Sequence, residues 1–389
     1  PIYNKGKYLE SGEIMPFLYK QVYDDLLYKI KTGVYPGGTL LPSLEELSSA
    51  YSVSPITVKH ALTDLKKRNV IRRIKHKGSI VLEQPDVPLP GEVASLQENP
   101  PIAVVFPYYD DNKTRIINGL KSYVFGKNIR LNFFDSMHSL DTEREILRRL
   151  SEERLGGLIL LPLHPAYNID LVSKISIRGI PIAFMDFALN GIRKPCVRSD
   201  NFTGMYDMVT YLINCRHTRI GFISARQMIS TEQERFGGYC HALIKNGIPV
   251  TQDYIFTFPS DAENIGRGNE ILDTYNEQCA HDAIRYFASL PARPSAIVCM
   301  NDYVASYVMR AAREQGYGVP EDFSVTGFDN LTVSQELKLT TVTQNFEKIA
   351  QEALNSIFLQ QSKKAPPPLD TQIGSIIIRR NSVKNYDVQ

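Results

Sequence analysis

Polar side chains follow the ends of four short apolar runs in this chain. The runs are LNFF, IAFM, AIVCM and SVTGF, and the residues after them are Asp135, Asp186, the pair Asn301 and Asp302, and Asp329. Ligands of parallel sheets bind beyond the carboxyl ends of the strands. Carboxylates and amides can pair with neighbouring hydroxyl groups, so these residues suit a polyol. Each could instead cap a following helix, but several together favour a ligand cleft.

A second group of residues could bind an anionic polymer. Between Lys59 and Lys77 the chain carries eight basic residues against one acid, Asp64. Up to Pro85 there are 13 lysines and arginines against 8 acids, although the whole chain has a net charge of only +2. Such a basic head matches the phosphate backbone of duplex DNA. A solvated basic face is the alternative interpretation.

Two helical patterns position these basic residues. In LPSLEELSSAYSV, Ser43 and Glu46 have the spacing of a capping box. In SPITVKHALTDLKK, Ser54 is a favourable N-cap, and apolar residues recur at i, i+3, i+4 and i+7 from Val58. The short SVS link between the two patterns is typical of a helix-turn-helix, whose second helix enters the major groove of DNA.

A predicted two-stranded wing follows the second helix, because VIRRIKHKGSIVLE alternates apolar and polar residues around a turn. The order of helix, turn, helix and basic wing favours DNA binding over a solvated face. The predicted DNA contacts are the two helix caps, the side chains in the first turns of the second helix that lie outside its apolar face, and the wing. These residues are Ser43, Ser54, Thr57, Lys59, His60, Arg72, Arg73, Lys75, Lys77 and Gly78.

The remainder of the chain has the pattern of an α/β domain. From Ile102 onward, short apolar runs such as IAVVF and GLILLP alternate with amphipathic helical stretches, which predicts parallel sheet covered by helices on both faces. Residues 84–101 hold five prolines and predict an extended linker. We therefore expect a DNA-binding domain over residues 1–83, this linker, and a ligand-binding domain over residues 102–389.

The predicted DNA-binding domain, residues 1–83, is called the head below. It resembles the winged helix-turn-helix of GntR-family transcription regulators. Their usual pattern, LPS-x-x-x-LA, then VSR-x-TVR-x-AL-x-x-L, then G-x-GTFV, matches LPSLEELS and VSPITVKHALTDL at most positions. Two departures are Pro55 and Lys59, which stand where the family has arginines. Lysine cannot make the paired hydrogen bonds that arginine makes to guanine or phosphate, so the operator preference of the family should not be transferred. Base recognition would depend on Thr57, His60 and the wing.

The predicted ligand-binding domain, residues 102–389, is called the body below. It resembles the effector domain of the LacI/GalR family. The similarity covers about 290 residues and is carried by VRSDNFTGMYDMVTYLINCRHTRIGFIS, ERFGGYCHAL, AIVCMNDYVASYVM, SVTGFDN, LTTVTQNFEKIAQEA and IIIRRNSV. It implies a two-lobed fold like that of periplasmic sugar-binding proteins, with a parallel sheet in each lobe and a homodimer. The combination of a GntR-type head with a LacI-like body resembles the domain arrangement of regulators of the arabinose-repressor type.

The resemblance also adds residues to the ligand cleft. It places Arg235, Asn301 and Asp329 there, and Asp186 matches a less universal sugar contact. Tyr108 and Tyr109 follow the first strand, where family members often place contacts from the other lobe. The full predicted ligand set is Tyr108, Tyr109, Asp135, Asp186, Arg235, Asn301, Asp302 and Asp329.

Several other classes of function are not expected. No apolar run reaches about 18 residues, so no membrane span is expected, and the N-terminal residues lack the apolar core of a signal peptide, which favours the cytoplasm. The five cysteines include no CxxC pair, and the seven histidines show no HxxxH or HExxH spacing, so no metal is expected. Phosphate-loop and GxSxG motifs are missing, so we expect neither a cofactor nor an enzyme.

We therefore expect a transcriptional repressor that binds double-stranded operator DNA and is released by a small effector, a neutral monosaccharide. A pair of bodies would space two heads over a pseudo-palindromic operator. Three alternatives remain open from the residues. One is a sugar-binding protein of a transport system, the second is a regulator whose ligand strengthens DNA binding, and the third is a sugar kinase or isomerase on a doubly wound sheet.

Overall fold

The structure is a computed structural model that describes residues 22–23, 25–27, 29–30, 34–51, 53–67, 70–74, 78–82, 99–107, 110–225, 229–258, 269–363 and 365–387. The chain divides into two compact units, Pro1–Glu98 and Asn99–Gln389. This boundary falls within the predicted linker, residues 84–101. Most of that linker lies outside the described residues and stays a prediction.

In the described part of the N-terminal unit, a helical segment is followed by two helices and a two-stranded sheet. These are α1 (Leu44–Tyr51), α2 (Pro55–Lys67), β1 (Ile71–Ile74) and β2 (Gly78–Val81). The strands are antiparallel, with Ile71 opposite Val81. Leu47 of α1 and Val58 and Leu65 of α2 are buried in one core with Leu26 from a preceding helical segment. The predicted winged helix-turn-helix is therefore confirmed.

The first lobe of the C-terminal unit is a six-stranded parallel sheet between helices. Its strands are β3 (Ile102–Phe106), β4 (Leu131–Asp135), β5 (Gly157–Leu160), β6 (Ile182–Met185), β7 (Cys196–Ser199) and β13 (Asp370–Ile373), in the order β13-β7-β6-β5-β3-β4. Its helices are α3 (Asp111–Val124), α4 (Leu140–Leu150), α5 (Ile169–Ile177) and α11 (Phe346–Ser362). Side chains that alternate along the strands fill one core on each face of the sheet.

The second lobe repeats this architecture with one antiparallel edge. Its strands are β8 (Ile220–Ala225), β9 (Ile255–Phe258), β10 (Ala296–Cys299), β11 (Ser324–Asp329), β12 (Thr340–Thr343) and β14 (Ile376–Ile378), in the order β14-β12-β11-β10-β8-β9. Only β14 runs antiparallel to its neighbour within this sheet. Its helices are α6 (Asn201–Asn214), α7 (Ser230–Lys245), α8 (Asn269–Ser289), α9 (Asp302–Glu314) and α10 (Thr332–Glu336). The predicted α/β class is confirmed.

The chain passes between the two lobes three times. The first passage follows β7 at Asp200, the second follows β12 at Gln344 and Asn345, and the third lies between β13 and β14 at Gly374 and Ser375. Each sheet has its strand ends toward the other lobe at these passages, so loops after the strands of both lobes face a common cleft. This is the placement that the strand-end carboxylates require.

All five cysteines are free thiols, four of them buried. Among the described residues, no group of three or more histidine, cysteine, aspartate or glutamate side chains could hold a metal ion. No helix in the described part of the chain is long and apolar enough to cross a membrane.

Candidate functional site

A buried ion pair lies at the centre of the candidate cleft. Asp329 ends β11, Arg235 lies on α7, and the Arg235 Nη2 to Asp329 Oδ1 distance is 3.5 Å. Only 7% of Arg235 and 8% of Asp329 is exposed. The guanidinium is held by Nε, which donates to Asn201 Oδ1 at 2.9 Å, and by Nη1, which donates to the Met300 carbonyl at 2.7 Å. Arg235 is therefore rigidly oriented toward Asp329.

The Arg235 guanidinium also stacks on an aromatic ring. Its Cζ lies 3.9 Å from the centroid of the Phe328 ring. This contact fixes the plane of the guanidinium and adds a favourable interaction between cation and ring. Both residues come from the second lobe, so this contact does not depend on the position of the first lobe.

The electrostatics of Asp329 connect the two lobes. Burial raises the pKa of Asp329 to about 6, although Arg235 and the Gln344 amide both lower it. Asp186 raises the same pKa, and Lys113 lowers it. Both of these residues belong to the first lobe, so they lie within electrostatic reach of Asp329. The structure thus brings the predicted residues Arg235 and Asp329 into contact, and the charge of Asp186 acts on Asp329 from the first lobe.

Asn301 lies beside this group but uses its side-chain oxygen locally. Its Oδ1 accepts a hydrogen bond from the Val304 N–H at 2.8 Å and caps α9. The preceding carbonyl, that of Met300, receives Arg235. The Asn301 side chain is partly exposed, and its amide nitrogen keeps it in the proposed ligand set.

Asp302 does not occupy the position expected from the sequence. It is 0% exposed, its Oδ1 accepts from the Thr341 hydroxyl at 2.5 Å, and its Oδ2 accepts from the Leu331 N–H at 2.8 Å. Burial and then the Asp329 charge raise the pKa of Asp302 to about 7. The expectation that Asp302 contacts the ligand is therefore corrected, because its oxygens bind the protein interior.

Of the remaining predicted ligand residues, the structure describes Asp135 but not Tyr108 and Tyr109. Asp135 ends the edge strand β4, three strands from β6, which corresponds to about 14 Å at the usual strand spacing. Its Oδ1 accepts from the Met137 N–H at 2.7 Å in a local turn. The structure therefore does not bring Asp135 to Asp186 and the ion pair. Tyr108 and Tyr109 lie outside the described residues.

Sequence reasoning missed three polar residues at the cleft. Lys113 pairs with Asp110 at 3.2 Å in the first turn of α3. The buried Asn112 has a side-chain oxygen with no hydrogen-bond partner among the described residues. Gln344 donates from Nε2 to Asp329 Oδ1, and its Oε1 accepts from the Ser199 hydroxyl in the other lobe. Asn112 and Lys113 follow the apolar strand β3, which is the signal that could have identified them, whereas Gln344 follows the threonine-rich strand β12, which gives no such signal.

The N-terminal unit presents a basic face around α2 and β1. Lys59, His60, Arg72 and Arg73 are exposed. Ser43 forms the expected capping box, because its N–H donates to Glu46 Oε2 at 2.7 Å and its Oγ accepts from the Glu46 N–H at 3.2 Å. These side chains are accessible to a duplex that lies along α2 and the wing.

Thr57 is not available for base contact as the sequence suggested. It is only 3% exposed, and its hydroxyl hydrogen-bonds the Ser54 hydroxyl at 2.9 Å. Ser54 also accepts from the Thr57 N–H at 3.2 Å, so it caps the helix as predicted. The expectation that Thr57 contacts bases is therefore corrected. Its neighbour Ile56 is 54% exposed, and sequence reasoning had not selected it.

The wing turn is only partly described. Gly78 begins β2 with φ 106°, a backbone conformation that favours glycine. Lys75 and Lys77 lie outside the described residues, so their predicted DNA contacts stay predictions. Arg72 and Arg73 stand opposite Ile80 and Ser79 across the sheet.

Comparison with known proteins agrees with both resemblances. Residues 18–81 match the bacterial regulatory proteins of the gntR family, and residues 209–383 match the periplasmic binding protein-like domain. The arabinose metabolism transcriptional repressor of Geobacillus stearothermophilus is 25% identical over 378 residues, which cover 94% of this chain and 97% of that protein. The transcriptional repressor CytR of Escherichia coli K12 is 27% identical over 318 residues, 80% of this chain and 87% of CytR.

A solved structure shows the same fold in the C-terminal unit. The LacI family transcriptional regulator from Enterococcus faecium, crystallised with bound ribose, aligns with a TM-score of 0.59 at 19% identity. The alignment covers 73% of this chain and 98% of that one. The two domain matches confirm the predicted combination of a GntR-type head and a periplasmic-binding-protein-like body.

Proposed function

We propose that this chain, a GntR-type helix-turn-helix domain joined to a periplasmic-binding-protein-like domain, is a transcriptional repressor controlled by a small sugar. The head binds operator DNA and the cleft binds the effector. The observation that carries the proposal is the buried Arg235–Asp329 pair of the second lobe, since it provides fixed donors and acceptors at the cleft of a chain that also carries an exposed basic head. The relatives named as repressors support the same function.

The charges in the cleft favour a neutral ligand. Arg235 is paired with Asp329 and Lys113 with Asp110, while Asp186 adds a negative charge in the same region. A phosphate or carboxylate on the ligand would compete with carboxylates that already hold both cations. A neutral polyol instead accepts from Arg235 and donates to Asp186 and Asp329. The relative crystallised with ribose supports this ligand class.

The exposed basic residues favour a regulator over a transport protein. A transport protein would share the two lobes, but it would have no use for a capped α2 followed by exposed Lys59, His60, Arg72 and Arg73. We also propose that two bodies pair, so that two heads span a pseudo-palindromic operator in the cytoplasm. The protein is a regulator in this proposal and not an enzyme.

The ligand part of the proposal is tested by thermal unfolding with a panel of neutral monosaccharides. We expect one sugar to raise the midpoint, because a ligand at one hundred times its Kd stabilises the folded state by about 2.7 kcal/mol. Asp329→Ala removes the acceptor at the centre of the cleft and should abolish the rise. Asp282→Ala, at an exposed ion pair on α8 of the same lobe, should keep it. A full rise in Asp329→Ala would contradict the placement of the cleft.

The DNA part is tested by gel shift with genomic fragments and the same two variants. Wild type and both variants should retard the same fragment without sugar, and wild type and Asp282→Ala, but not Asp329→Ala, should respond to sugar. Release by sugar supports an inducer, whereas stronger retardation supports a co-repressor. The absence of any retarded fragment, with and without sugar, would contradict a regulator.

A further inference from the structure

The strand end that carries Asp329 has an unusual backbone. Asp329 has φ 117° and the following Asn330 has φ 55°, so two consecutive non-glycine residues lie in the left-handed region. Such residues persist only where the surrounding structure over-determines their conformation. The direction of the Asp329 carboxylate depends on this turn, since the turn sets how its Cα–Cβ bond leaves the chain.

Asp302 binds the backbone of the residues that follow Asp329 in the turn. Its Oδ2 accepts from the Leu331 N–H at 2.8 Å, directly after the two strained residues. Its Oδ1 accepts from the Thr341 hydroxyl at 2.5 Å, and that hydroxyl in turn accepts from the Asn330 N–H at 3.4 Å. One buried carboxylate thereby satisfies Leu331 directly and Asn330 through Thr341.

Asp302 packs closely against Gly327 of the strand that carries Asp329. A Cβ built on Gly327 of β11 would lie 2.2 Å from Asp302 Oδ1 and 3.2 Å from its Cα. Glycine is therefore required at this position for the carboxylate to approach the strand. The sequence GFD combines this glycine with the cleft carboxylate two residues later.

Arg380 binds the side chain of Asn330, the second residue of the turn. Its Nη2 donates to Asn330 Oδ1 at 2.6 Å, and its Nη1 donates to the Leu339 carbonyl at 2.7 Å. Its own N–H donates to the Thr340 hydroxyl at 2.9 Å, which fixes the start of the side chain. The Asn330 amide also donates to Thr343 Oγ1 at 3.4 Å. The guanidinium therefore joins the turn to the loop before β12.

We propose that Asp302 and Arg380 are positioning residues that set ligand affinity by holding Asp329 and Asn330 in this turn. The inference rests on the proposed function, because it assigns the Asp329 carboxylate to the ligand. Neither positioning residue contacts the ligand itself. When the turn is released, Asp329 returns to an ordinary backbone conformation, and its carboxylate moves away from Arg235.

The test is a double-mutant cycle on sugar affinity in the full-length protein. The probe is D-ribose, L-arabinose, D-xylose, D-glucose or D-galactose, whichever raises the unfolding midpoint of the wild type most. Arg380→Met keeps the aliphatic stem but removes the guanidinium hydrogen bonds to Asn330, Leu339 and Ser334, and it should raise the Kd by at least tenfold in calorimetric titration. Operator affinity without sugar should stay within twofold of wild type.

Asn330→Gly removes the acceptor that Arg380 uses, while glycine still permits positive φ. If Arg380 acts through Asn330, Arg380→Met should add less than threefold to the Kd in the Asn330→Gly background. A general loss of stability would instead multiply the two effects, and this result would overturn the proposal. An unchanged Kd in Arg380→Met would overturn it as well.

Arg379→Met is the matched control, because this neighbouring arginine packs over the Tyr211 ring at 4.7 Å and is exposed. Its Kd should stay within twofold of wild type. If Arg380→Met does not fold, Arg380→Lys replaces it, since lysine can donate to Asn330 or to Leu339 but cannot span both. An intermediate rise in Kd is then expected, and an unchanged Kd would overturn the proposal.

Crystal structures test the turn without any ligand. In Arg380→Met, Asp329 should leave the positive-φ region, and its distance to Arg235 should exceed 4 Å. An unchanged turn would overturn the proposal. If the wild type binds none of the sugars and the turn nevertheless shifts in the variant, the proposed function fails while the structural role of Arg380 stands.

Discussion

His217 shows how one buried polar residue can join distant segments of a lobe. Its Nε2–H donates to the Lys384 carbonyl at 2.9 Å, so its Nδ1 is the acceptor for the Ser295 hydroxyl at 2.8 Å. The side chain is fully buried, and burial lowers the pKa of His217 below its ordinary value. The folded state therefore requires the neutral imidazole, which ties the C-terminal segment to the second lobe.

We predict that His217→Gln changes how stability depends on pH. The unfolded histidine has a pKa of about 6.5 and binds a proton that the folded one, with its lowered pKa, does not. Stability contributed by His217 is therefore present above that value and lost as the pH falls below it. Glutamine can still donate to the Lys384 carbonyl but does not titrate.

Urea unfolding between pH 8 and pH 5 measures this effect. The variant should be less stable than wild type at pH 8, and the difference in unfolding free energy should shrink toward pH 5. A constant difference across that range would show that His217 titrates alike in both states.

At the residue scale, the sequence located the polar strand ends but could not assign their partners. Asp186 and Asp329 were predicted from their positions after apolar runs, and the charge of Asp186 raises the pKa of Asp329. Asp302 has the same sequence signature, yet its oxygens are bound by Leu331 and Thr341, 29 and 39 residues away. Such long-range partners leave no local pattern in the sequence.

At the scale of elements, helices α6 and α7 pack unusually closely through a glycine. A Cβ on Gly238 would lie 2.3 Å from the Phe202 carbonyl oxygen and 2.9 Å from the Tyr206 nitrogen, both of which are backbone atoms. The adjacent Gly237 has only the Phe202 ring nearby, at 3.5 Å, which is ordinary contact. The two glycines therefore have different roles although they are neighbours in one helix.

We predict opposite effects for alanine at these two positions. Gly238→Ala must push α6 and α7 apart and should destabilise the fold by about 1–3 kcal/mol, the usual cost of overpacking. Gly237→Ala removes a flexible residue from a helix interior and should stabilise it by about 0.5–1 kcal/mol. Denaturant unfolding of both variants measures the difference, and equal effects would contradict the close packing of α6 on α7.

The strands were predicted unequally from the sequence. The apolar strands β3, β5, β6, β8, β10 and β11 all stand out as runs, because both faces of a covered parallel sheet are buried. The strand β12 reads TTVT and was not recognised, although Thr340 and Thr341 are fully buried. Thr340 Oγ1 accepts from the Arg380 N–H, so polar partners elsewhere in the chain make its burial possible.

At the scale of the whole ligand-binding unit, polar contacts hold the lobes together on more than one side. Arg198 of β7 pairs with Glu234 of α7 in the other lobe and binds Asp370 with two hydrogen bonds of 2.8 and 2.9 Å. Burial lowers the pKa of Arg198, but these carboxylates raise it above its ordinary value. Asp111 of α3 accepts from the Thr332 N–H of α10 at 2.8 Å, again between lobes.

We predict that Glu234→Gln shifts the protein toward an open cleft. The variant replaces a charged contact between the lobes by a weaker neutral one, so less of the protein is closed and competent to bind sugar, and the apparent Kd rises in proportion. A three- to tenfold rise is expected in calorimetric titration, about 0.7–1.4 kcal/mol. Asp170→Asn is the control, since its partner Arg144 lies in the same lobe. An equal Kd in wild type and Glu234→Gln would contradict the role of this contact.

The larger organisation was only partly visible in the sequence. The basic head and the α/β body differ in composition and pattern, which was sufficient to distinguish them. The division of the body into two lobes came from the family resemblance alone. Apolar periodicity reports which residues are buried but not against which part of the chain, so the return of α11 to the first lobe carries no local signal.

The three passages between the lobes have a consequence for biosynthesis. The first lobe needs α11 and β13 from the last fifth of the chain, and the second needs β14 after them. A ribosome that has made the first 340 residues has therefore completed neither. The head, which is a contiguous segment, can mature while translation continues. Until the final strands emerge from the exit tunnel, the nascent chain therefore exposes two incomplete sheets that can aggregate with other proteins.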